Sequence, residues 1–422
     1  MIKIIFHWKL SRLPFIFYSD FELSEDFIKE IFKSTLVKKT IFKNREVLRS
    51  EYVPNKLPFR ENQIRIIAQI LSPLLKGNRC SNLFLYGKTG TGKTAVARYV
   101  LKELEETANT HKINLKAVYC NTRIAGTEYR LLYDFSNSLG LKVPFTGLAI
   151  KEVSERILNY ISSMKINVVL ALDEIDFLVK TSGDDLLYEF TRANERLKGG
   201  SLSLLGISND LKFKELLDPR VLSSLSEEEL VFPPYTAEEL KVILAERVKL
   251  AFNEGCVDDV TINLCAALAA SEHGDARRAL DLLRVAGELA DREGVDRVEE
   301  KHVRLAIKKI DEDRMLDALT SLPLHQKLLL LASFSPQGQS HTGEVYTKYV
   351  RFCEVNGIEP LSSRRVTTLL NELDMLGLIS ATTVSKGRYG RTKKITPLIN
   401  LDLLKKIYQE DPLLKSLLEP TI

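Results

Sequence analysis

The chain has 422 residues, enough for two or three domains of ordinary size. Its 45% apolar and 27% charged residues are typical of folded globular domains, and a formal net charge of +4 is too small for a general polycation. The charge is unevenly placed, because residues 320–422 carry 13 Lys and Arg against 9 Asp and Glu. The whole surplus therefore lies in the last quarter, which favours a nucleic-acid-binding face there.

The five cysteines are scattered and never spaced as CxxC, so they indicate neither a disulfide framework nor a zinc site. This usage suits a reducing cytosol. Residues 1–18 are rather apolar, but Lys3, Lys9 and Arg12 interrupt them, and they are too short to span a bilayer. They also lack a small-residue cleavage site. We therefore expect a cytoplasmic protein without membrane contacts, and leave residues 1–49 as an N-terminal segment of unassigned role.

From residue 50 onward, short apolar runs alternate with amphipathic stretches. Two closely spaced prolines in EYVPNKLPFREN, residues 51–62, predict an extended strap, and a helix is predicted to follow over 63–75. The predicted buried strands are 83–86, 117–119, 168–172, 202–207 and 230–232. The predicted helices between them are 95–106, 128–139, 150–164 and 184–197. Continuously apolar strands that alternate with helices predict a parallel α/β sheet covered on both faces.

The pattern changes after the sheet. From about 237 to 315 apolar residues recur every three or four positions with no strand candidate, which predicts a small helical bundle. Beyond Leu322-Pro323, three helices precede two β-prone stretches that flank a basic turn, and this order predicts a winged helix-turn-helix. Those helices are expected over 324–333, 342–356 and 362–376. The predicted domains are therefore 50–235, 236–318 and 319–422.

Residues 87–94, GKTGTGKT, follow the strand NLFLY and open the helix AVARYVLKEL, which is the setting that a phosphate-binding P-loop requires. The glycines let backbone N–H groups point at phosphates, and the helix N-terminus adds a favourable dipole. We expect Lys93 to reach the outer phosphates and Thr94 to ligate Mg²⁺. The residues predicted to surround the phosphates are Lys88, Thr89, Gly90, Thr91, Gly92, Lys93, Thr94 and Ala95.

Two later strands end in polar residues. VVLALDEID places Asp173 to hold the Mg²⁺ shell and Glu174 to orient and deprotonate the attacking water, with Asp176 a helix cap or surface residue. After LSLLGIS, the amide of Asn209 either senses the terminal phosphate or simply ends the strand. Arg220, which follows an Asp-Pro break, is either a finger that enters a neighbouring subunit's site or a surface arginine.

Whole phrases resemble the archaeal replication initiators, which are AAA+ ATPases related to the eukaryotic origin-recognition and Cdc-type loader proteins. These phrases are YVPNKLPFRENQ, GKTGTGKTAV, VPFTGL, LALDEIDFLV, LLDPRVLSSLSEEEL, FPPYTAEEL, EHGDARRALDLLR and KGRYGRTK, and they span roughly residues 40 to 400. The resemblance implies an AAA+ P-loop parallel-sheet module, a helical lid and a C-terminal winged helix-turn-helix. It gives Lys93, Asp173, Glu174, Asn209 and Arg220 the Walker A, Walker B, sensor and finger roles.

The resemblance implies more about the nucleotide site than the residues alone do. It places Arg277 of the lid on the phosphates, uses Tyr235 and Arg247 to close the pocket, and lines the adenine with Val53 and Pro54. By composition alone Tyr235 would be a core tyrosine, and Arg247 and Arg277 would be helix-surface arginines. The implied cofactors are ATP or ADP with Mg²⁺, and the implied hydrolysis of ATP to ADP and phosphate is slow and regulatory.

The second predicted interface is for DNA. In LSSRRVTTLLNELDMLG the apolar positions 366, 369, 370, 373 and 376 have helical core spacing, so the polar face either enters a major groove or is merely solvated. In KGRYGRTKK, five positive charges fall in nine positions at the hairpin turn. The resemblance also places the family's extra helical insertion at residues 123–148, where we expect a further contact with DNA. The predicted DNA-binding residues are Ser363, Arg364, Arg365, Thr367, Thr368, Lys386, Arg388, Tyr389, Gly390, Arg391 and, in the insertion, Arg130, with Asn371 on the same helix face.

The leading interpretation is an ATP-controlled initiator that binds duplex DNA at replication origins and helps to load the helicase. ATP would lie between the α/β module and the lid and set their angle. The implied partners are origin DNA, a replicative helicase and paralogous initiators, with a monomer off DNA that assembles on it. Two alternatives stay open: an ATP-switched winged-helix transcription regulator, and a clamp-loader or helicase-loader ATPase.

Overall fold

The computed structural model of the chain describes residues 39–210, 212–225, 228–335, 338–385, 391–409 and 414. The chain divides into two compact units between Val303 and Arg304. The first 38 residues, whose role the sequence leaves unassigned, lie outside the described part. Within that part, no helix combines the length and the apolar character that crossing a membrane requires.

Five strands form the sheet of the first unit: β1, Leu83–Tyr86; β2, Leu115–Asn121; β3, Asn167–Asp173; β4, Ser201–Ser208; and β5, Glu228–Val231. All neighbours are parallel, in the order β2-β3-β4-β1-β5. Strands β1, β3 and β4 are buried along their whole length, whereas the edge strand β5 is mostly exposed. The prediction of a parallel α/β sheet is confirmed.

Nine helices surround the described sheet: α1, Glu61–Leu71; α2, Lys93–Thr110; α3, Thr122–Ala125; α4, Glu128–Leu139; α5, Ile150–Met164; α6, Ile175–Ser182; α7, Asp185–Thr191; α8, Ala193–Arg196; and α9, Pro219–Leu225. One apolar core joins α1 and α2 to one sheet face, and a second joins α4 and α5 to the other. Two covered faces explain why the central strands are apolar at every position.

Two predicted helices differ in the structure. The helix expected over 63–75 ends as α-helix at Leu71, and Ser72–Lys76 continues as a 3₁₀ turn, because Pro73 has no N–H to donate. The helix expected over 184–197 is split into α7 and α8. Here the side-chain amide of Asn194 exchanges hydrogen bonds of 2.6 and 2.9 Å with the backbone of Leu202 in β4, which pins the second segment to the sheet. Helices α3, α6 and α9 were not predicted.

Four helices follow the sheet: α10, Ala237–Ala251; α11, Asp259–Ser271; α12, Ala276–Glu293; and α13, Glu300–Ser321, which begins in the first unit and ends in the second. We call α10–α12 the lid. Each lid helix starts at a side-chain cap, namely Thr236, Asp258 and Asp275. Thr236 and Glu239 complete a capping box, so the start of the lid is sharply defined.

The described chain before α1, residues 39–60, includes the predicted strap; we call all of it the strap, and it is anchored on the lid. The N–H of Ile41 donates to Asp291 in α12 at 3.0 Å, and the ring of Phe42 stacks on Phe252 with centroids 4.7 Å apart. Two further strap N–H groups donate to the carbonyl of Ala251. Because the same segment then continues to α1 beside the sheet, it links the lid to the α/β module.

The second unit contains α14, Leu324–Ser333; α15, Thr342–Val355; α16, Ser363–Met375; α17, Leu401–Tyr408; and the strands β6, Ser340–His341; β7, Ile379–Ser385; and β8, Arg391–Pro397. The strands form an antiparallel sheet in the order β6-β8-β7. Three helices and a hairpin confirm the winged helix-turn-helix. The two-residue strand β6 and the helix α17 were not predicted.

The apolar face of α16 is nearly as predicted. Val366, Leu369, Leu370 and Leu373 are buried, but Leu376 is 53% exposed. That residue was wrongly assigned to the core. Leu376 is the C-cap of α16, so its side chain lies at the open end of the helix, where it is half exposed.

Replacing Leu370 with Ala should lower the free energy of unfolding by about 2–5 kcal/mol, because it leaves a cavity in a fully buried site. The matched change Leu376→Ala should cost less than about 0.5 kcal/mol. Urea unfolding of the full chain, with hydrogen exchange followed in α16, measures both. Equal losses from the two variants would contradict the placement of the core.

Candidate functional site

A cavity with a volume of about 710 Å³ lies in the first unit between the P-loop, the carboxyl ends of the strands, the strap and the lid. The predicted residues that line it are Val53, Pro54, Gly90, Thr91, Gly92, Lys93, Thr94, Ala95, Asp173, Glu174, Asn209, Tyr235, Arg247 and Arg277. Lys88 and Thr89 are exposed and lie outside this lining. The folded chain thus brings segments that are up to about 220 residues apart to one cavity.

Lys93 begins α2 and is only 4% exposed. Its Nζ donates to the carbonyls of Gly87 and Lys88, each at 2.7 Å. Burial lowers the pKa of Lys93 to about 8, although nearby Asp173 favours the charged form. The ammonium group is therefore held over its own loop, where an incoming phosphate would meet it.

Asp173 is the last residue of β3 and is 5% exposed. Its Oδ2 accepts hydrogen bonds from the hydroxyls of Thr94 and Tyr119, each at 2.7 Å, and its Oδ1 accepts the N–H of Glu174 at 2.9 Å. A hydroxyl and a carboxylate are the oxygen ligands that Mg²⁺ prefers. The described residues contain no cluster of three or more His, Cys, Asp or Glu, so phosphate oxygens and water would have to complete the shell.

Glu174 has a left-handed backbone with φ of 53°, which is strained for a residue with a side chain. One carboxylate oxygen accepts from the amide of Asn121 at 3.3 Å, and the other pairs with Arg123 at 3.3 Å. Asn121 lies opposite Asp173 in the sheet register. The carboxylate of Glu174 is thus turned toward the β2 side of the cavity.

Asn209 follows β4, which lies between β1 and β3, and its exposed side chain lines the cavity. The neighbouring Ser208 donates its hydroxyl to Asp176 at 3.0 Å. Asp176 was expected to be a cap or a surface residue, and both expectations are wrong. Glu174 occupies the cap position, and Asp176 is partly buried in the first turn of α6, where it joins the two strand ends.

The lid contacts the P-loop directly. Asp275 caps α12, and the N–H of Ala276 donates to the carbonyl of Gly90 at 3.1 Å. Gly90 has φ of 69°, and a Cβ added to it would lie 1.7 Å from Oδ1 of Asp275. Only glycine therefore fits here in this arrangement. Exposed Arg277 follows and faces the same cavity.

Arg247 is not the helix-surface residue that composition suggests. It is 7% exposed, donates to the carbonyl of Val47 at 3.1 Å and lies over the ring of Tyr52 at 4.8 Å. Its guanidinium therefore holds the strap against α10. Burial lowers its pKa, but arginine stays charged at neutral pH.

Sequence reasoning missed Arg60, which is 2% exposed. Its guanidinium donates to the carbonyls of Phe59, Thr91 and Pro233 at 2.7–2.9 Å and stacks on the ring of Tyr235 at 3.8 Å. It therefore joins the strap, the P-loop and the segment that leads to the lid. No local pattern distinguishes this arginine from exposed ones, since its partners Thr91, Pro233 and Tyr235 are distant in sequence.

Tyr119, Asn121 and Arg123 were also missed. Polar residues at alternate positions of β2, next to a strand that ends in Asp173, were the available signal.

Arg220 lies outside the cavity lining. Its side chain is 68% exposed, pairs with Asp218 at 3.0 Å and lies 5.5 Å from the ring of Tyr188. Within this chain it is a surface residue, and both predicted alternatives remain compatible with that position.

The second unit presents the predicted face of α16. Ser363, Arg364, Arg365 and Thr368 are exposed, and Thr367 is half-buried. The hydroxyls of Thr367 and Thr368 donate to backbone carbonyls one turn earlier, which leaves their lone pairs available. On the same face, Lys393 of β8 donates to the side-chain oxygen of Asn371, so the hairpin and α16 share one polar surface.

The remaining predicted DNA-binding residues lie in the hairpin and in α4. Lys386, Arg388, Tyr389 and Gly390 lie outside the described residues, and the backbone of Arg391 begins β8. Arg130, in α4 of the first unit, pairs with Asp134 at 3.1 Å and faces the rings of Tyr133 and Phe145 at 5.4 and 5.0 Å. Phe145 is itself 55% exposed.

Three family comparisons cover most of the chain. Residues 76–212 match the family described as AAA domain, 241–308 the Cdc6 AAA+ ATPase-type lid domain, and 317–406 the CDC6 C-terminal winged helix domain. Fold and matches together define an AAA+ protein with a Cdc6-type lid and a C-terminal winged helix.

Relatives of similar length make the assignment narrower. The ORC1-type DNA replication protein of Thermococcus kodakarensis is 50% identical over 94% of this chain and 97% of its own length. That of Pyrococcus horikoshii is 49% identical over 93% and 95%. The chain belongs to the ORC1-type DNA replication proteins. The solved structure of Aeropyrum pernix ORC1 in complex with DNA is 46% identical, covers 90% of this chain and all of that one, and has a TM-score of 0.83.

Arg60→Gln should lower the free energy of unfolding of the first unit by about 1–3 kcal/mol, because it leaves buried carbonyls without a donor. Arg65→Gln, an exposed position on α1, serves as the control and should change it by less than about 0.5 kcal/mol. Urea titration monitored by circular dichroism compares them. Indistinguishable variants would refute the role of Arg60.

Nucleotide affinity should fall about tenfold between pH 7 and pH 9. The charged form of Lys93 attracts phosphate, and with a pKa of about 8 this group is mostly charged at pH 7 and mostly neutral at pH 9. Titration with a fluorescent ATP analogue measures the change, and Lys93→Ala should bind no nucleotide at either pH. A flat profile in the parent protein would contradict the prediction.

Proposed function

We propose that this protein is an ATP-dependent initiator that binds duplex DNA at replication origins and helps to start replication. The observation that carries the proposal is the ORC1-type relationship over more than nine tenths of the chain, together with a nucleotide cavity and a winged helix on one polypeptide. The A. pernix relative was solved with DNA, which supports the same partner here.

We assign the phosphate-binding role to the P-loop backbone and Lys93. Thr94 and Asp173 would hold Mg²⁺, which supplies charge neutralisation at the outer phosphates when bound. Glu174 would orient and deprotonate the attacking water after its carboxylate leaves Asn121 and Arg123. Asn209 and Arg277 face the same cavity from the sheet and the lid, where they can distinguish ATP from ADP. Val53 and Pro54 of the strap are the residues assigned to the adenine.

In this proposal ATP acts as a conformational switch. The lid already contacts the P-loop through Ala276 and Gly90, and the strap is anchored on the lid through Asp291. A nucleotide that contacts the strap, the P-loop and the lid at once would change the positions of these three parts relative to one another. Hydrolysis would be slow and would reset the arrangement, with Arg220 of another copy as the finger, because its side chain projects outside its own cavity.

DNA contacts are assigned to the exposed face of α16, to the hairpin tip at residues 386–391, and to Arg130 of the insertion. Arginine and hydroxyl side chains on a helix can hydrogen-bond to base edges in a major groove and to the backbone phosphates beside it. Replicative helicase and paralogous initiators are the further proposed partners, with assembly of copies on DNA. We propose the division 50–235, 236–318 and 319–422 for the three functional parts, and an intracellular location beside the chromosome.

Two other functions can be separated by experiment. An ATP-switched transcription regulator would occupy many promoters in the cell, whereas an initiator would occupy a few origin-like sites. A clamp or helicase loader would hydrolyse ATP vigorously, with stimulation by DNA and with oligomers that depend on Arg220. The ORC1-type relationship favours the initiator.

The double change Arg364→Ala with Arg365→Ala should weaken binding to an origin-region duplex and reduce the dependence of log affinity on log salt by about two. The charge-matched control, Arg292→Ala with Arg297→Ala on exposed positions of the first unit, should change neither quantity. Fluorescence anisotropy over a KCl series measures both, and footprints with ATP and with ADP should differ. Equal effects from the two pairs would refute the assigned face.

A further inference from the structure

The phenol of Tyr119 reaches the centre of the predicted metal site. Tyr119 lies in β2, two residues before Asn121, and Asn121 pairs with Asp173 in the register of β3. Residues two apart on a strand share a face, so the ring extends along the sheet toward the carboxylate. Its hydroxyl donates to Oδ2 of Asp173 at 2.7 Å, and the residue lines the cavity.

Asp173 is held from three separate elements. Thr94 of α2 and Tyr119 of β2 both donate to Oδ2, while the N–H of Glu174 donates to Oδ1. A hydroxyl can donate its proton and offer a lone pair at once, so Thr94 can keep this bond while it binds a metal. The bond from Tyr119 reaches the same oxygen from the β2 side, and it fixes the direction in which the carboxylate points.

The hydroxyl of Tyr119 is a permanent donor. A phenol keeps its proton at neutral pH, so this hydroxyl remains a donor to the carboxylate of Asp173. The guanidinium of Arg98 lies over the same ring at 4.5 Å from its centroid and packs it from the α2 side. The ring is therefore confined between α2 and the sheet, with its hydroxyl directed at the carboxylate.

We propose that Tyr119 is a positioning residue for Mg²⁺, acting through Asp173. This inference rests on the proposed function, because it presupposes that nucleotide and Mg²⁺ bind in this cavity. Partners that orient a ligating carboxylate contribute strongly to metal binding, and their removal commonly costs 10- to 100-fold in affinity. A purely structural tyrosine would affect nucleotide binding equally with and without the metal.

The test uses the full chain and a fluorescent ATP analogue. Its Kd is measured in excess Mg²⁺ and in EDTA, and the ratio of the two reports what the metal contributes. Tyr119→Phe should reduce this ratio about tenfold while changing the Kd in EDTA by less than about twofold. Tyr129→Phe, which removes a hydroxyl that donates to the carbonyl of Pro144 at 2.8 Å away from the cavity, should leave the ratio unchanged.

A second background tests the path through Asp173. Asp173→Ala should lower the ratio on its own, and adding Tyr119→Phe should then have no further effect, since the two changes remove the same contribution. An unchanged ratio in Tyr119→Phe, an equal loss in Mg²⁺ and EDTA, or an additive loss in the double variant would overturn the inference. Parent protein that bound no nucleotide would overturn the proposed function itself, and this inference with it.

Discussion

The buried guanidinium of Arg60 is the contact on which the arrangement of the first unit depends. It donates to carbonyls of the strap, of the P-loop and of the segment before the lid, and it stacks on Tyr235. A buried arginine requires partners for its five N–H donors, so these three segments have to keep their relative positions. The nucleotide cavity lies where they meet, which makes one side chain the common support of its walls.

The parallel register provides the second constraint. It aligns Asn121 with Asp173 and places the end of β4 beside them, so that polar side chains from three strands face the P-loop across a short distance. Asp173 is the centre of this group, because Thr94, Tyr119 and the backbone of Glu174 all donate to it. The site is thus organised by hydrogen bonds that converge on one carboxylate, and its chemistry can be adjusted from β2 without any change in the P-loop.

The lid and the strap connect this chemistry to conformation. Ala276 bonds to Gly90, Arg247 holds the strap at Val47, and Asp291 anchors it at Ile41. The first contact joins the lid to the P-loop and the other two join the lid to the strap, so a displacement of the lid alters all three together. The ATP switch proposed above requires such coupling, and these contacts are where the first unit would provide it.

The sequence by itself determined the class of fold, the P-loop, the acids after β3 and the winged helix, because these depend on local spacing, periodicity and short motifs. Boundaries failed where a distant partner decides them, as at the break between α7 and α8, which Asn194 pins to β4. The same reason explains why the sequence did not reveal the roles of Arg60 and Tyr119 or the burial of Arg247. Their roles depend on backbone and side-chain atoms far away in the chain, and only the tertiary structure brings those atoms within hydrogen-bonding distance.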